Sequence, residues 1–361
     1  MYRSNDPSSS RVRSVGTRKR KLRMLACALL APALLAAVAA CSSGGSSSGS
    51  SAGSDPSVTM SITIAAPTSA PVYIAQSLGY FKQQGVNVNV KIIPNAYESL
   101  AAGQIQFGDI GVAQVVQAAS AGTPLQQICV TETSPSYVMA VSQKTMSAKG
   151  ITASMSLKET LTKLKGEVVT EVGGAVNPGS VLLASLLKQN GLPSNWITVV
   201  SETSNASATA SFIEGQAGVV FQPQPVPDEL LSKVPGKIIF NTADSPLFAN
   251  LNGTPWSGIA ASTSYVAAHP GVSKEICNAI GKADNYILAN PAQAAKDIQP
   301  QMSSYTAQLI QEALPTYKFA AGANMSESKF DAGIKVLSSY GIFQQPSASA
   351  LSSAYTTKYQ S

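Results

Sequence analysis

The stretch Pro71–Val90 reads PVYIAQSLGYFKQQGVNVNV. Val72, Ala75, Leu78 and Phe81 recur at helical spacing, and Gly85 is a helix stop. From Val86 the apolar period falls to two, so VNVNVKII reads as a strand. The preceding VTMSITIAAP, Val58–Pro67, also alternates and closes on a proline. Strand, helix and strand in that order make a βαβ unit, which lays its two strands parallel with the helix across one face.

The alternation continues outward from this unit. AYESLAAG reads as a short helix closed by Gly103, IQFGDIGV as a strand, AQVVQAASAG as a helix ending at Gly122, and PLQQICVTE as a strand. A mainly parallel sheet covered on both faces is therefore expected. The pattern then restarts. SLKETLTKLKG, GSVLLASLLKQNG and ASATASFIEG read as helices, and EVVTEV, WITVVSE and AGVVFQ as strands. A second α/β unit is placed at roughly Val138 to Trp256. From WSGIAAST the chain reads as helical to its end, with Pro270, Pro291 and Pro315 near helix starts. SLAAGQIQFGDIGV and SFIEGQAGVVFQPQP share a helix, a Gly-Gln turn and an apolar strand that runs into a loop, a weak internal repeat.

The first 57 residues are of another kind. Arg18–Arg23 is a basic segment, Met24–Ala40 an apolar one broken by Pro32, and Ala39 and Ala40 are small residues before Cys41. This reads as a secretory signal over 1–40. Ser42 to about Ser57 is rich in serine and glycine and reads as a flexible tether. The chain's formal charge of +6 belongs to the leader, which holds eight of the 25 basic residues and one of the 19 acidic ones. From Cys41 onward 17 basic and 18 acidic residues remain, a net charge of −1, so no basic surface is left for a nucleic acid. Every arginine lies at or before Arg23. Beyond Cys27 in the leader and Cys41, Cys129 and Cys277 remain; in an exported protein they either pair or stay as two buried thiols.

Catalytic patterns are missing. The one histidine, His269, precedes a proline at a helix start and has no nucleophile beside it, so it reads as a surface or capping residue. No cysteine, histidine and carboxylate cluster has metal-ligand spacing, and no phosphate loop occurs; neither metal nor cofactor is implied. Binding is better served. Ligands of open α/β sheets sit beyond the carboxyl ends of the strands. Those places hold Pro67–Ala70, Asp109–Val112, Gly173–Ser180 and Gln222–Pro225, all rich in small or amide residues. Ser180 reads as the N-cap of the helix carrying Leu182, Leu183, Leu186 and Leu187, either as part of an anion site or simply as a cap. Thr68 and Ser69 read the same way for the helix near Pro71. Tyr73, Tyr97, Tyr137 and Trp256 are either stacking faces or ordinary packing.

Five blocks in order carry a resemblance to a known family: PVYIAQSLGYFKQQGVNVNV, SLAAGQIQFGD, AGTPLQQIC, LKGEVVTEVGGAVNPGSVLLASLLKQNGL and HPGVSKEICNAIGKADNYILANPAQAAKDI. Over about Val58 to Ile298 the chain resembles the solute-binding proteins of nitrate/sulfonate/taurine-type ABC importers, a group that includes binders of thiamine pyrimidine precursors. LAAVAAC resembles a bacterial lipobox, with Cys41 as the lipidated first residue of the mature protein.

The resemblance implies a type II periplasmic-binding fold, two α/β lobes around a ligand cleft. Lobe 1 is expected at 58–137 plus 260–361 and lobe 2 at 138–259, with crossings near Pro135–Val141 and Trp256–Ser262. The ligand-binding set expected is Thr68, Ser69, Tyr73, Gly111, Val112, Asn177, Gly179, Ser180, Gln222 and Trp256. The partners implied are a small-molecule ligand, an ABC permease with its ATPase, and a membrane through the lipid; the protein itself is expected to be a monomer and not an enzyme. The alanine-rich leader and long tether have an actinobacterial, Gram-positive character, which puts the anchor on the outer face of the cytoplasmic membrane. A ligand-sensing role toward a signalling partner, or an enzyme on the same fold, are the alternatives.

Two departures matter. The family's Gly-x-x-Asp reads Gly103-Gln104-Ile105-Gln106 and Gly215-Gln216-Ala217-Gly218 here. The mature chain also has no guanidinium, the group best matched to a planar oxyanion, which favours a neutral or heteroaromatic ligand.

Overall fold

The computed structural model describes residues 55–93, 96–172, 178–202, 204–341 and 344–360. The signal at 1–40, Cys41 and the tether up to residue 54 lie outside the described residues. Five strands build the first sheet: β1 (Ser57–Ile62), β2 (Asn87–Ile92), β3 (Phe107–Gly111), β4 (Leu125–Glu132) and β10 (Ser257–Ser262). Five more build the second: β5 (Tyr137–Ser142), β6 (Val168–Val172), β7 (Thr198–Glu202), β8 (Val219–Pro223) and β9 (Gly236–Asn241). The helices that connect and cover the first sheet are α1 (Ala70–Ser77), α2 (Tyr80–Gln83), α3 (Ala96–Ala101) and α4 (Val112–Ser120). Those of the second are α5 (Gln143–Ala148), α6 (Leu157–Lys163), α7 (Pro178–Gln189), α8 (Asn205–Ile213) and α9 (Val226–Lys233). Then follow α10 (Thr263–Ala268), α11 (Pro270–Ala289), α12 (Pro291–Ile298), α13 (Ala307–Ala313), α14 (Glu327–Ser339) and α15 (Ala348–Ser353).

The opening βαβ unit forms as its period demands. β1 pairs parallel with β2, Val58 opposite Val88, and with β3 on its other side. The single helix expected over Pro71–Gln84 is two, because Gly79 takes a left-handed conformation (φ 69°) that a continuous helix does not contain. Met60 and Ile62 of β1 are fully buried against α1 and α11. On α11, Ser273, Ile276, Cys277, Ile280, Asp284 and Ile287 make the buried stripe, at the three- and four-residue spacing of one helix face.

In each sheet four strands run one way and one runs against them. The first runs β2-β1-β3-β10-β4 with β10 antiparallel to both neighbours, and the second runs β7-β6-β8-β5-β9 with β5 antiparallel to both of its own. The sequence hides β10 because SGIAAS has one β-branched residue and no alternation. Its small residues are required: a Cβ on Gly258 would stand 2.2 Å from the Cys129 carbonyl oxygen.

The chain passes between the sheets at 133–136 and again at 242–256. The two segments are bonded to each other, through Thr242 N–H to the Tyr137 carbonyl (2.9 Å) and Gly253 N–H to the Ser134 hydroxyl (3.1 Å). A third segment joins them: Thr133 N–H donates to the Lys318 carbonyl (2.7 Å) and Ala320 N–H to that of Thr131 (3.1 Å). Of the C-terminal helices, α11 and α12 pack on the α1 side of the first sheet. Beyond α14, Tyr340 reaches toward the second sheet, edge-on to Phe248 (6.0 Å), which in turn meets Phe240 of β9 (5.9 Å). Cys129 of β4 and Cys277 of α11 form a disulfide, Cα to Cα 5.8 Å.

Candidate functional site

A cavity of about 60 Å³ lies between the two sheets at the carboxyl ends of β1, β3 and β8. The first lobe gives it Thr63, Ile64, Thr68, Ser69, Asp109, Ile110, Gly111, Gln114 and Ser257; the second gives Tyr137, Pro178, Gln222 and Pro223. That is room for a few waters, well under the roughly 300 Å³ and more of an open small-molecule site. The lobes are drawn together here. Across the gap the Tyr317 hydroxyl donates to the Gln224 carbonyl, and Val226 and Leu230 of α9 share a core with Leu314 and Tyr317. A larger groove of about 640 Å³ runs along the crossing segments, but Ile287, Leu288, Leu314 and Phe319 make its walls mostly apolar, and few polar groups converge in it.

Behind the first-lobe wall stand two buried carboxyls in a frame of hydroxyls. Glu132, at the end of β4, accepts from Ser136 (2.5 Å), Thr68 (3.3 Å) and Ser257 (3.4 Å). Asp109, in β3, accepts from the Thr131 hydroxyl (3.1 Å) and from Ser69. Burial dominates their protonation. It pushes Asp109 up to about 7 against the pull of Thr131 and Ser69. It pushes Glu132 up to about 8 against Ser136 and Thr68, with the Asp109 charge adding to the rise. A third carboxyl, Asp284 on α11, is fully buried, and neither of its oxygens has a partner. Its pKa is raised well above the usual value, by burial first and then by Asp109.

The sequence-expected residues divide. Thr68, Ser69, Gly111 and Gln222 line the cavity together. Asn177 lies outside the described residues, as does the loop 173–176. Tyr73 is buried in the first-lobe core, where desolvation raises its phenol to about 12. Val112 and Trp256 are core residues too; the Val112 N–H donates to the Trp256 carbonyl (3.0 Å). Gly179 and Ser180 are buried on α7 and do not line the cavity. Ser180 is not the N-cap, because it lies inside α7, with Pro178 and Gly179 before it in the helix. Ser69 does stand at the N-cap of α1, but without a side-chain cap bond, since its hydroxyl turns to Asp109 and that of Thr68 to Glu132. Of the aromatic candidates Tyr137 reaches the cavity, braced on Phe221 at 5.4 Å, while Tyr97 bonds Glu98 elsewhere. His269 sits at the junction of α10 and α11, its ring tilted against that of Tyr265 (4.4 Å).

Glu132, Asp284, Gln114 and Ser257 were missed. Glu132 closes an apolar strand and looks like its solvent end. Asp284 was findable, because it occupies a core position on the α11 stripe. Among the described residues, no group of three or more histidine, cysteine or carboxylate side chains is placed to hold a metal ion, and no helix is long and apolar enough to cross a membrane.

Solved structures with the same architecture are numerous. A protein from Bordetella bronchiseptica superposes with a TM-score of 0.71 at 18% identity, covering 84% of this chain and 95% of its own. The alkanesulfonate-binding protein SsuA from Xanthomonas axonopodis pv. citri, bound to MOPS, gives 0.65 at 18%, over 84% and 99%. The periplasmic nitrate-binding protein NrtA from Synechocystis gives 0.63 at 13%, over 84% and 86%. A Candida albicans protein described as having the generic periplasmic binding protein fold gives 0.65 at 14%, over 85% and 98%. No curated protein sequence matches the chain. Residues 66–294 match the family described as NMT1/THI5 like, more than half of the chain and the same region that carried the resemblance. The fold is that of the periplasmic binding proteins, and the chain belongs to the NMT1/THI5-like family.

Proposed function

We propose that this protein is the extracytoplasmic receptor of an ABC importer, which captures a small organic solute between its lobes and hands it to a permease. One observation carries the reading. In a member of this family, polar side chains from both sheets converge on one cavity at the carboxyl ends of the strands. The names of the alkanesulfonate- and nitrate-binding structures support the solute-receptor class. The cavity's small size, about 60 Å³, means that capture requires the lobes to part and close again. The leader and Cys41 support a lipid anchor on the outer face of the cytoplasmic membrane, with the serine/glycine segment as tether. One acyl chain holds a membrane only marginally, so a lasting anchor takes more than one.

The test is a thermal-shift screen over nitrate, alkyl sulfonates, pyrimidines, aromatic acids and amines. A true ligand stabilises the fold by about 2.7 kcal/mol at a hundred times its Kd. No shift with any class, at concentrations where a receptor would saturate, refutes solute capture. Cys41→Ala should release the protein from the membrane fraction; retention of that variant refutes the anchor.

A further inference from the structure

The cleft wall has a polarity of its own. A serine or threonine hydroxyl carries one proton to donate. Thr68 donates its proton to Glu132 (3.3 Å), and Ser69 bonds Asp109. Ser257 directs its proton to Glu132 (3.4 Å) or Thr131 (3.2 Å). What these three hydroxyls turn to the cavity is therefore lone pairs. At the helix end that faces the cleft, two N–H groups are already engaged. At the start of α4 the Gly111 N–H donates to Gln114 Oε1 (3.1 Å) and the Val112 N–H to the Trp256 carbonyl (3.0 Å). An incoming oxyanion would find those donors taken. The other side chains on the described lining that can donate, Thr63, Gln114, Tyr137 and Gln222, are hydroxyls and amides, and no lysine, arginine or histidine lies among those lining residues.

A second observation points the same way. Asp284 is fully buried behind this wall with both carboxyl oxygens unpartnered, and the one charge acting on it is that of Asp109. Three carboxyls thus stand on one side of a cavity whose described lining holds no cationic side chain.

Resting on the receptor reading above, we propose that the solute is a small organic cation with N–H donors, a protonated amine, amidine, guanidine or N-heterocycle, bound with its positive nitrogen on Asp109. The Asp109 carboxylate accepts from the ligand, the lone pairs of Thr68, Ser69 and Ser257 take further N–H groups, and Tyr137 supplies an aromatic face from the opposite lobe. The titratable groups that face this carboxyl are Asp284 on α11 and Glu132 on β4. Glu132 in turn faces the Tyr317 phenol, itself held neutral by burial. Where Asp109 holds a proton, the arriving cation displaces it to solvent, so affinity rises with pH through about 7.

Isosteric probes of opposite charge test the proposal: guanidinium against nitrate, and methylammonium against methanesulfonate. The readout is the melting temperature of the full protein, at about pH 8.5 and about pH 5.5. The expected result is stabilisation by the two cations alone, weaker at the lower pH. Asp109→Asn, which keeps the shape and removes the charge, should weaken cation binding roughly tenfold or more. Stabilisation by nitrate or methanesulfonate, or undiminished cation binding in Asp109→Asn, overturns the proposal and leaves the receptor reading standing. So does silence from both cations while another solute of the wider screen stabilises the protein. Silence across the whole screen counts against the receptor reading as well.

Discussion

Reducing the Cys129–Cys277 bond is expected to be the largest single insult that this fold can survive. The bond ties β4 to α11 and closes a loop of 148 residues. Holding a loop of that length closed in the unfolded chain removes about 17 cal/mol/K of entropy, or about 5 kcal/mol at 25 °C on the chain-entropy account. Both cysteines are buried, at 0% and 2% exposure, so replacing them also forfeits packing around the sulfurs. The Cys129→Ala/Cys277→Ala double variant should therefore melt lower by roughly 8 °C in a folded portion of this size. The assay is thermal and urea unfolding of the wild type with and without reductant, beside the double variant. Reductant should lower the wild-type midpoint and leave the variant untouched. A wild-type midpoint insensitive to reductant, with free thiols confirmed by mass, would refute the reasoning, because the loop constraint would then be worth nothing.

Acidity should act opposite to its usual direction. Folded Asp109, raised to about 7, and Glu132, raised to about 8, keep protons at pH values where the unfolded chain has lost them, so stability falls as pH rises. Between about pH 5 and about pH 8 the loss is of order 3 kcal/mol for Asp109 alone, and urea midpoints that stay flat or rise over this range would contradict it. Tyr317→Phe removes the hydroxyl that the first lobe extends to the Gln224 carbonyl; it should cost about 1–3 kcal/mol and enlarge the particle in small-angle scattering, and unchanged scattering would deny that contact a part in closure. Gly258→Ala puts a methyl 2.2 Å from the Cys129 carbonyl oxygen inside the sheet, and soluble yield and midpoint should both fall by the equivalent of roughly 3 kcal/mol or more; wild-type stability would mean that β10 can shift there at no cost.

The fold was legible where one period ruled a whole element. VTMSITIAAP, the Pro71–Gln84 helices and VNVNVKII show their periods openly, and strand–helix alternation carried the α/β reading from there. β10 was not legible. Its six residues are small because two strands crowd it, and a strand built for close approach loses the bulky alternation that would announce it. The loops that line the cavity could be placed by rule, since they follow the carboxyl ends of strands, and Thr68, Ser69, Gly111 and Gln222 do meet there. Side-chain direction could not. Tyr73 and Trp256 are as aromatic in the core as they would be in a cleft, and Ser180 lies inside α7 rather than at its cap. Glu132 and Asp284 show the same limit from the other side. A buried carboxyl reveals itself by what surrounds it, and those neighbours come from β1's following loop, β4, β10 and α11, far apart in the chain.

The place of β10 sets an order of events. β4 joins the first sheet only through β10, which arrives from residues 257–262, after the whole of the second sheet has been made. A chain emerging from its N-terminus can complete the strands from Tyr137 to Asn241 while the first sheet still lacks its middle. The first lobe is then assembled around a partner already formed, and the cysteines meet once β10 is seated and α11 follows it. Pulse-labelled hydrogen exchange during refolding should find amides of β6 and β8 protected before those of β4. The later-numbered lobe would thus be the scaffold on which the earlier-numbered lobe is finished.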